Sequence, residues 1–371
     1  MHSKSELPFE SIEEVFIEVR RHVASFLSPG SDVLSAILRA NWVSDLPPPG
    51  HYGIAAIDGS NNSDYLTLGQ VIYVASASLF MKDNEVRRAR KYQVGVMDDF
   101  HHRERVSFCR ETMEIKMALR SLDFNPDIVL MDGSFLASVD RGLLATPYGQ
   151  KVPYYMRKIL MKVESYVGRD LTEGLVSLTH LMDFSTSIES LIESILRDEL
   201  GRDPKGDEIM RAKAFIERYE KLVSLDRLLR ESRAMLVAVA KRSGSRSYFN
   251  ARVPDMEVIR RCSGPDPGLL APKITYLTFP DFSGIENSYP ISVTYAKLEK
   301  GANPLRIEVV GEVDLDELSS IVSALARYSV RGYPYHLRIA HEMTKIGKEM
   351  MAHLAKNLMI PEISGREILG E

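Results

Sequence analysis

Two short apolar runs in this chain end in the same way. Ile54-Ala55-Ala56-Ile57 runs into Asp58-Gly59-Ser60, and Ile128-Val129-Leu130-Met131 runs into Asp132-Gly133-Ser134. Four apolar residues in succession, followed by turn chemistry, suit a central strand buried on both faces. Neighbouring parallel strands present their carboxyl ends at one edge of the sheet. The layout therefore predicts two carboxylates side by side at that edge, with Gly59-Ser60-Asn61-Asn62 as the turn after the first. A lone Asp-Gly-Ser is ordinary turn chemistry; its repetition points to a site, and paired acids invite a metal ion.

Composition narrows the setting of such a site. At 371 residues the chain is long enough for one elaborated domain or for two. A net charge of −4 gives no global attraction toward nucleic acid, so any basic surface has to be local. Cys109 and Cys262 stand far apart with no CxxC spacing, which argues against a zinc site or a disulfide framework and for a reducing interior. The N-terminal MHSKSELPFESIEEV lacks the basic start and apolar core of a signal peptide, and no apolar run approaches membrane-span length. A soluble, cytoplasmic protein with no membrane partner is expected.

Taken in order, Ile12, Val15, Phe16, Val19, Val23 and Phe26 recur at helical spacing over 8–27, so that 1–45 reads as an N-terminal helical segment. The prolines Pro47-Pro48-Pro49 form a linker into the main domain, 46–371. Leu66 to Met81 reads as a strand or bent strand pair, Tyr92 to Val96 as a further strand, and the charged block from Lys82 to Lys91 as a solvated loop or hairpin. Arg103 to Leu122 is a helix carrying Glu111 and Glu114, stopped by Asn125-Pro126 before the strand with Asp132. Strand with Asp58, further strands, acidic helix, strand with Asp132: this is the order of an α/β, ribonuclease H-like mixed sheet with flanking helices. Helical spacing dominates about 141–233, a helical insertion with the charged tract Arg197 to Lys213 as a loop inside it. Leu236 to Ala240, Thr275 to Phe279, Ile291 to Leu298 and Leu305 to Val310 read as strands, and Leu315 to Tyr328 and His336 to Leu358 as helices.

Three carboxylates on neighbouring elements are what a hard divalent cation takes, since Mg²⁺ and Mn²⁺ prefer oxygen ligands. Asp58, Glu114 and Asp132 fit that role, with Glu111 competing because positions three apart share a helix face. Lys241 and Arg242, after the strand ending at Ala240, are placed to meet a phosphate; plain surface charge is the alternative. His341, two helical turns beyond Tyr333 and Pro334, is a candidate ligand or general acid, with His336 competing and core packing open for both. His101 and His102 read as surface residues. Arg87, Arg88, Arg90, Lys91, Lys241, Arg242 and Arg246 are candidates to line a DNA path, while Tyr248 and Phe249 read as core with base stacking as the alternative. No GxxxxGK[ST], GxGxxG or GxSxG is present, which removes nucleotide motors, Rossmann oxidoreductases and α/β-hydrolases.

IDGSNN with Asp58, the acidic helix with Glu114, MDGS with Asp132, VAKRS with Lys241 and YPYHLRIAH with Tyr333 and His341, in this order over most of the chain, resemble the NurA nucleases. That resemblance implies a ribonuclease H-like core and Mn²⁺-dependent cleavage of DNA, with Mg²⁺ as a possible substitute. It implies single-stranded endonuclease and 5′ to 3′ exonuclease activity in the end resection of double-strand breaks. It also implies a homodimer with a DNA channel that docks on a HerA-type hexameric translocase. Asp58, Glu114, Asp132 and His341 would hold metal, with Tyr333 completing the catalytic set. A nuclease for RNA or branched DNA, and a non-catalytic accessory subunit, are the alternatives the same residues allow.

Overall fold

The two apolar runs become adjacent strands in the middle of a ten-stranded mixed sheet. The computed structural model describes residues 31–66, 69–140, 154–167, 171–180, 182–280, 283–347, 349–351 and 353. The helix expected over 8–27 lies outside them.

In chain order the elements are α1 (Ser31–Asn41), β1 (Trp42–Val43), β2 (Ile54–Leu66), β3 (Gly69–Lys82), β4 (Glu85–Met97), α2 (His102–Ser121), β5 (Ile128–Asp132) and α3 (Phe135–Asp140). The helices α4 (Tyr154–Val167), α5 (Met182–Leu200) and α6 (Gly206–Glu231) follow, then β6 (Met235–Ala240), α7 (Asp255–Cys262), β7 (Gly268–Leu270), β8 (Lys273–Thr278), β9 (Ser288–Lys297) and β10 (Leu305–Val310). The last elements are α8 (Leu315–Arg327), the ribbon strands β11 (Ser329–Val330) and β12 (Tyr333–Pro334), and α9 (Tyr335–Thr344).

The sheet runs β1-β7-β9-β10-β6-β5-β2-β3-β4, with β8 also beside β9. β5 is parallel to both β2 and β6, while β2, β3 and β4 form an antiparallel meander. Five of these strands, β4-β3-β2-β5-β6, with α2 crossing from the meander back to β5, make the expected ribonuclease H-like core. β10 and β9 extend it antiparallel.

Both faces of the central strands are covered, which is why their sequences do not alternate with polar residues. Ala55, Ile57, Val129, Met131 and Leu236 pack with Met117 of α2 and Leu222 and Leu225 of α6. On the other face Ile54, Ala56, Ile128, Leu130 and Val237 pack with Leu318 and Ile321 of α8 and Leu337 of α9. Between α3 and β6 the described chain is helical, and α4, α5 and α6 share a cluster of their own around Ile159, Ile192 and Phe215.

Charge as well as apolar surface joins α2 to α6. Arg105 donates to both oxygens of Glu217 at 2.7 Å and to Asp98 at 2.7 Å. Lys116 donates to Glu220 at 2.7 Å, and Glu220 also accepts from Ser177 Oγ, Leu178 N, Thr179 N and Thr179 Oγ1. These contacts hold Glu217 down to about 2 and Glu220 below its usual value, although burial alone pushes the other way.

Several local expectations are corrected. Gly59-Ser60-Asn61-Asn62 is no turn, because β2 runs on to Leu66 with every residue paired to β3. Ladder bonds on one side outweigh the turn preference, and only the parallel partner β5 stops beside Asp58. Of the stretch read from Leu66, Leu66 itself ends β2 and Gly69 onward is one long strand, β3, joined to β4 by a two-residue turn at Asp83, whose φ is 50°. The charged block is therefore part of an edge strand, where Lys and Arg discourage pairing with a foreign strand. The loop expected over 197–213 shrinks to 201–205, since α5 and α6 extend into it. The helix expected from His336 onward is interrupted at Thr344, because Lys345 leaves helical geometry with ψ at 124°, and helical geometry returns at 349–351. Among the described residues no helix is long and apolar enough to cross a membrane.

Candidate active site

Register places the first two acids. Ile57 sits opposite Met131 on the last paired rung of β2 and β5, so Asp58 and Asp132 are the next residues on strands spaced about 4.8 Å apart. Asp58 is buried, and its Oδ1 accepts from Gly59 N at 2.8 Å. Burial, and next the Asp132 charge, raise its pKa.

Glu114 arrives from α2 on the opposite face of the sheet, and Gly59 is what admits it. A Cβ on Gly59 would stand 2.4 Å from Glu114 Oε1. Glu114 is pushed up to about 8, mainly by burial. Arg110, with Nε 3.7 Å from Glu114 Oε1, opposes that rise but does not cancel it, and the charges of Asp58, Glu111 and Asp132 add to it. Glu111 is held separately: its Oε2 accepts from Lys221 at 3.2 Å and from Ser138 Oγ at 3.3 Å. Packing thus separates two glutamates that helix spacing leaves equivalent. A cavity of about 80 Å³ lies among Arg110, Glu111, Glu114 and Asp132.

On the other side of the acids, Lys241 donates to Asp132 Oδ2 at 3.0 Å and lies 4.2 Å from the centre of the Tyr333 ring. The Tyr333 phenol is raised far above its usual range by burial and then by the Asp132 charge. Its hydroxyl is buried and makes no hydrogen bond of ordinary length and angle among the described residues, although the Asp132 carboxylate acts on it. His341 Nδ1 is 2.8 Å from Asp58 Oδ2, which fixes the imidazole over the sheet edge. Asp58, Glu114, Asp132, Lys241, Tyr333 and His341 therefore form one constellation.

Other candidates fall outside it. His336 is buried, packed edge-on against Tyr328, and lowered to about 4 by burial, which is the packing alternative. His101 is exposed beside Glu104, whereas His102 is buried rather than on the surface, because it opens α2 against the sheet. Tyr248 and Phe249 are core residues, the Tyr248 hydroxyl donating to Ala271 O at 2.7 Å. Arg242 and Arg246 are exposed, with no side-chain hydrogen bond or ion pair among the described residues. Arg87, Arg88, Arg90 and Lys91 lie exposed on β4; Arg90 is in register with Asp58 through Ala77 and donates to Met343 O at 3.1 Å. Sequence reasoning missed Arg110, although its position four residues before Glu114 is the spacing of a helical ion pair. It also gave Gly59 the wrong reason.

Among the described residues no three His, Cys, Asp or Glu side chains already form a ligand cage. Each acid instead meets a nitrogen of the chain: Asp58 that of His341, Asp132 that of Lys241, Glu114 that of Arg110. The donor set nonetheless fits a hard cation. Asp58, Glu114 and Asp132 offer only oxygen donors, and Asp58 and Glu114 are raised first by burial and then by neighbouring acid charges, a repulsion a divalent ion relieves. The adjoining cavity has room for an ion or water.

The chain is similar to known proteins over most of its length. The probable DNA double-strand break repair nuclease NurA of Methanocaldococcus jannaschii is 22% identical over 385 aligned positions, covering 96% of this chain and 92% of the relative. The crystal structure of the NurA nuclease from Sulfolobus solfataricus superposes with a TM-score of 0.67 at 18% identity, covering 94% of this chain and 95% of that one. A NurA crystal structure bound to dAMP and manganese superposes with a TM-score of 0.63 at 14% identity, covering 97% and 99%. The NurA domain model matches residues 52–346, from the strand before Asp58 to just past His341, and the chain belongs to the NurA family.

Proposed function

We propose that this protein is a metal-dependent deoxyribonuclease that hydrolyses phosphodiester bonds of DNA in double-strand break repair. The observation that carries the reading is the convergence of Asp58, Glu114 and Asp132 from β2, α2 and β5 at one sheet edge, two of them buried and raised. It is supported by relatives named as DNA repair nucleases and by a family member crystallised with dAMP and manganese. Asp58, Glu114 and Asp132 would hold Mn²⁺, or Mg²⁺ in its place, with His341 at their edge. When bound, such an ion supplies Lewis acidity at the phosphodiester and makes water a stronger nucleophile at neutral pH.

The chain's own residues do the rest. Asp58 holds His341 at 2.8 Å, aiming its other ring nitrogen away from the acid to carry a proton at the reacting oxygens. Tyr333 keeps its phenolic proton and offers it as a hydrogen bond to a phosphate oxygen. The Lys241 ammonium, half exposed beside Asp132, is placed to answer a phosphate charge. Arg242 and Arg246 continue this basic edge along the DNA backbone, with contacts that depend on charge rather than sequence.

The same reading includes single-stranded endonuclease and 5′ to 3′ exonuclease activity, a homodimer around a DNA path, docking on a HerA-type translocase, and a cytoplasmic setting. The family membership supports these points, and the two unpaired cysteines accord with a reducing compartment. The test of the central claim is Asp58→Asn assayed on single-stranded DNA with Mn²⁺. Cleavage falls by at least about a hundredfold while the fold and melting temperature are kept, the size expected when several kcal/mol of transition-state stabilisation is removed. Retained cleavage overturns the assignment.

A further inference from the structure

Helix α2 carries two arginines beside buried acids, and it uses them differently. Arg105 donates to Glu217 through two bonds of 2.7 Å and to Asp98 through a third, so its fork is filled. Arg110 stands beside the candidate site with Nη2 3.6 Å from Glu111 Oε1 and Nε 3.7 Å from Glu114 Oε1, both beyond hydrogen-bond reach. Its Nε is buried without a hydrogen-bond partner, while 28% of the side chain stays exposed. An arginine that only stabilised the fold would fill its fork as Arg105 does, and a buried donor left over calls for a partner.

The course of α2 says where that partner lies. Met117 and Ala118 share a core with Ala55 and Ile57, Glu114 abuts Gly59, and Ser107 lines a groove with Asn61 and Ser63. The helix thus runs antiparallel to β2, and Arg110 falls about one turn beyond Glu114, past the end of β5 at Asp132. Ligands of open α/β sheets sit in this place, outside the carboxyl ends of the strands. The charge of Arg110 is favoured there by Glu114 first and, against the opposition of burial, by Glu111, Asp58 and Asp132. Lys241, Tyr333 and His341 approach the same acids from the face of α8 and α9, whereas Arg110 comes from the face of α2. A phosphate at the edge therefore has a cation on either side.

We propose that Arg110 donates its unused fork to a non-bridging oxygen of the scissile DNA phosphate, from the face opposite Lys241 and Tyr333. The proposal rests on the nuclease reading above and adds a catalytic residue to it. A planar, permanently charged guanidinium matches phosphate oxygens in a way that a lysine does not. Arg110 makes no covalent bond and moves no proton; it aims positive charge where negative charge builds up on the phosphate. The contacts to Glu111 and Glu114 keep the guanidinium at the site instead of in open solvent.

The experiment uses the full chain with Arg110→Met and Arg110→Lys. On a single-stranded oligothymidylate with Mn²⁺, Arg110→Met lowers kcat/KM on the order of a hundredfold, the size expected for one such donor. Arg110→Lys keeps the charge beside Glu114 but not the fork, and stays on the order of tenfold below the wild type. Calorimetry with dAMP as a one-phosphate probe, in Mn²⁺, shows affinity lowered on the order of tenfold in both variants, with deoxyadenosine binding unchanged. Arg110→Lys keeps the Mn²⁺-induced rise in melting temperature, which separates a lost phosphate contact from a displaced Glu114. Wild-type kcat/KM in Arg110→Met, unchanged dAMP affinity in both variants, or loss of the Mn²⁺-induced rise in Arg110→Lys overturns the proposal. A wild-type protein that cleaves no DNA yet binds dAMP through Arg110 removes the nuclease reading and keeps the contact; cleavage abolished by Asp58→Asn but untouched by Arg110→Met does the reverse.

Discussion

Glu114 and Glu217 are both buried carboxylates at the interface of α2 with its surroundings, and their electrostatics are opposite. Glu217 meets the fork of Arg105 through two bonds of 2.7 Å and sits at about 2. Glu114 has Arg110 at 3.7 Å, three acids nearby, and sits at about 8. Burial penalises both charges alike, so partners decide the outcome. Where folding needs a carboxylate, the chain surrounds it with donors; in the candidate site it leaves the helix carboxylate short of them.

The largest effect expected from this contrast is on the satisfied side. Lys116→Met strips Glu220 of its partner in a pair with no exposed side-chain surface, and destabilises by about 3–5 kcal/mol in chemical unfolding. Asp58→Asn, which removes a charge repelled by its neighbours, leaves unfolding stability in metal-free buffer unchanged or higher. Equal losses from both variants would erase the distinction.

The two glutamates also tilt metal-free stability in opposite directions as pH changes. Glu217, lowered from 4.5 to about 2, contributes stability that is present above pH 4.5 and lost as pH falls toward 2. Glu114, raised from 4.5 to about 8, contributes stability that is present below pH 4.5 and lost as pH rises through 8. Across either window one such group changes unfolding free energy by at most about 1.4 kcal/mol for each pH unit. Glu217→Gln therefore flattens the acid limb of melting temperature against pH, and Glu114→Gln flattens the alkaline limb.

Mn²⁺ comes next. At a hundredfold excess over its dissociation constant it stabilises by about 2.7 kcal/mol, read as a rise in melting temperature that Glu114→Gln abolishes and Glu111→Gln keeps. Smallest is Lys241→Met at the half-exposed pair with Asp132, which shifts stability by about 0–1 kcal/mol while lowering cleavage. A stability loss on the scale of Lys116→Met would make Lys241 a folding residue instead.

Much of the site was legible because strand periodicity and motif order are local signals. Asp58 and Asp132 follow apolar runs whose burial the sheet confirms, and Tyr333 and His341 sit at the entry and on the face of one helix. What distinguishes Glu111 from Glu114 was not legible from spacing, since both share a face of α2; Glu111 meets Lys221, 110 positions away in the chain. The persistence of β2 past Asp58 was hidden for a similar reason. Gly-Ser-Asn-Asn reads as a turn, and only pairing with β3 keeps it extended.

Gly59 gives the family a size filter that can be applied without coordinates. Its missing side chain is the space occupied by the Glu114 carboxylate, so one methyl group there and the helix acid compete for the same volume. A relative with alanine at this place and glutamate on the helix has to widen the gap between sheet and helix, and a relative that has lost both no longer needs to. Reading the two positions together thus tests the proposed site: glycine on the strand should travel with glutamate on the helix.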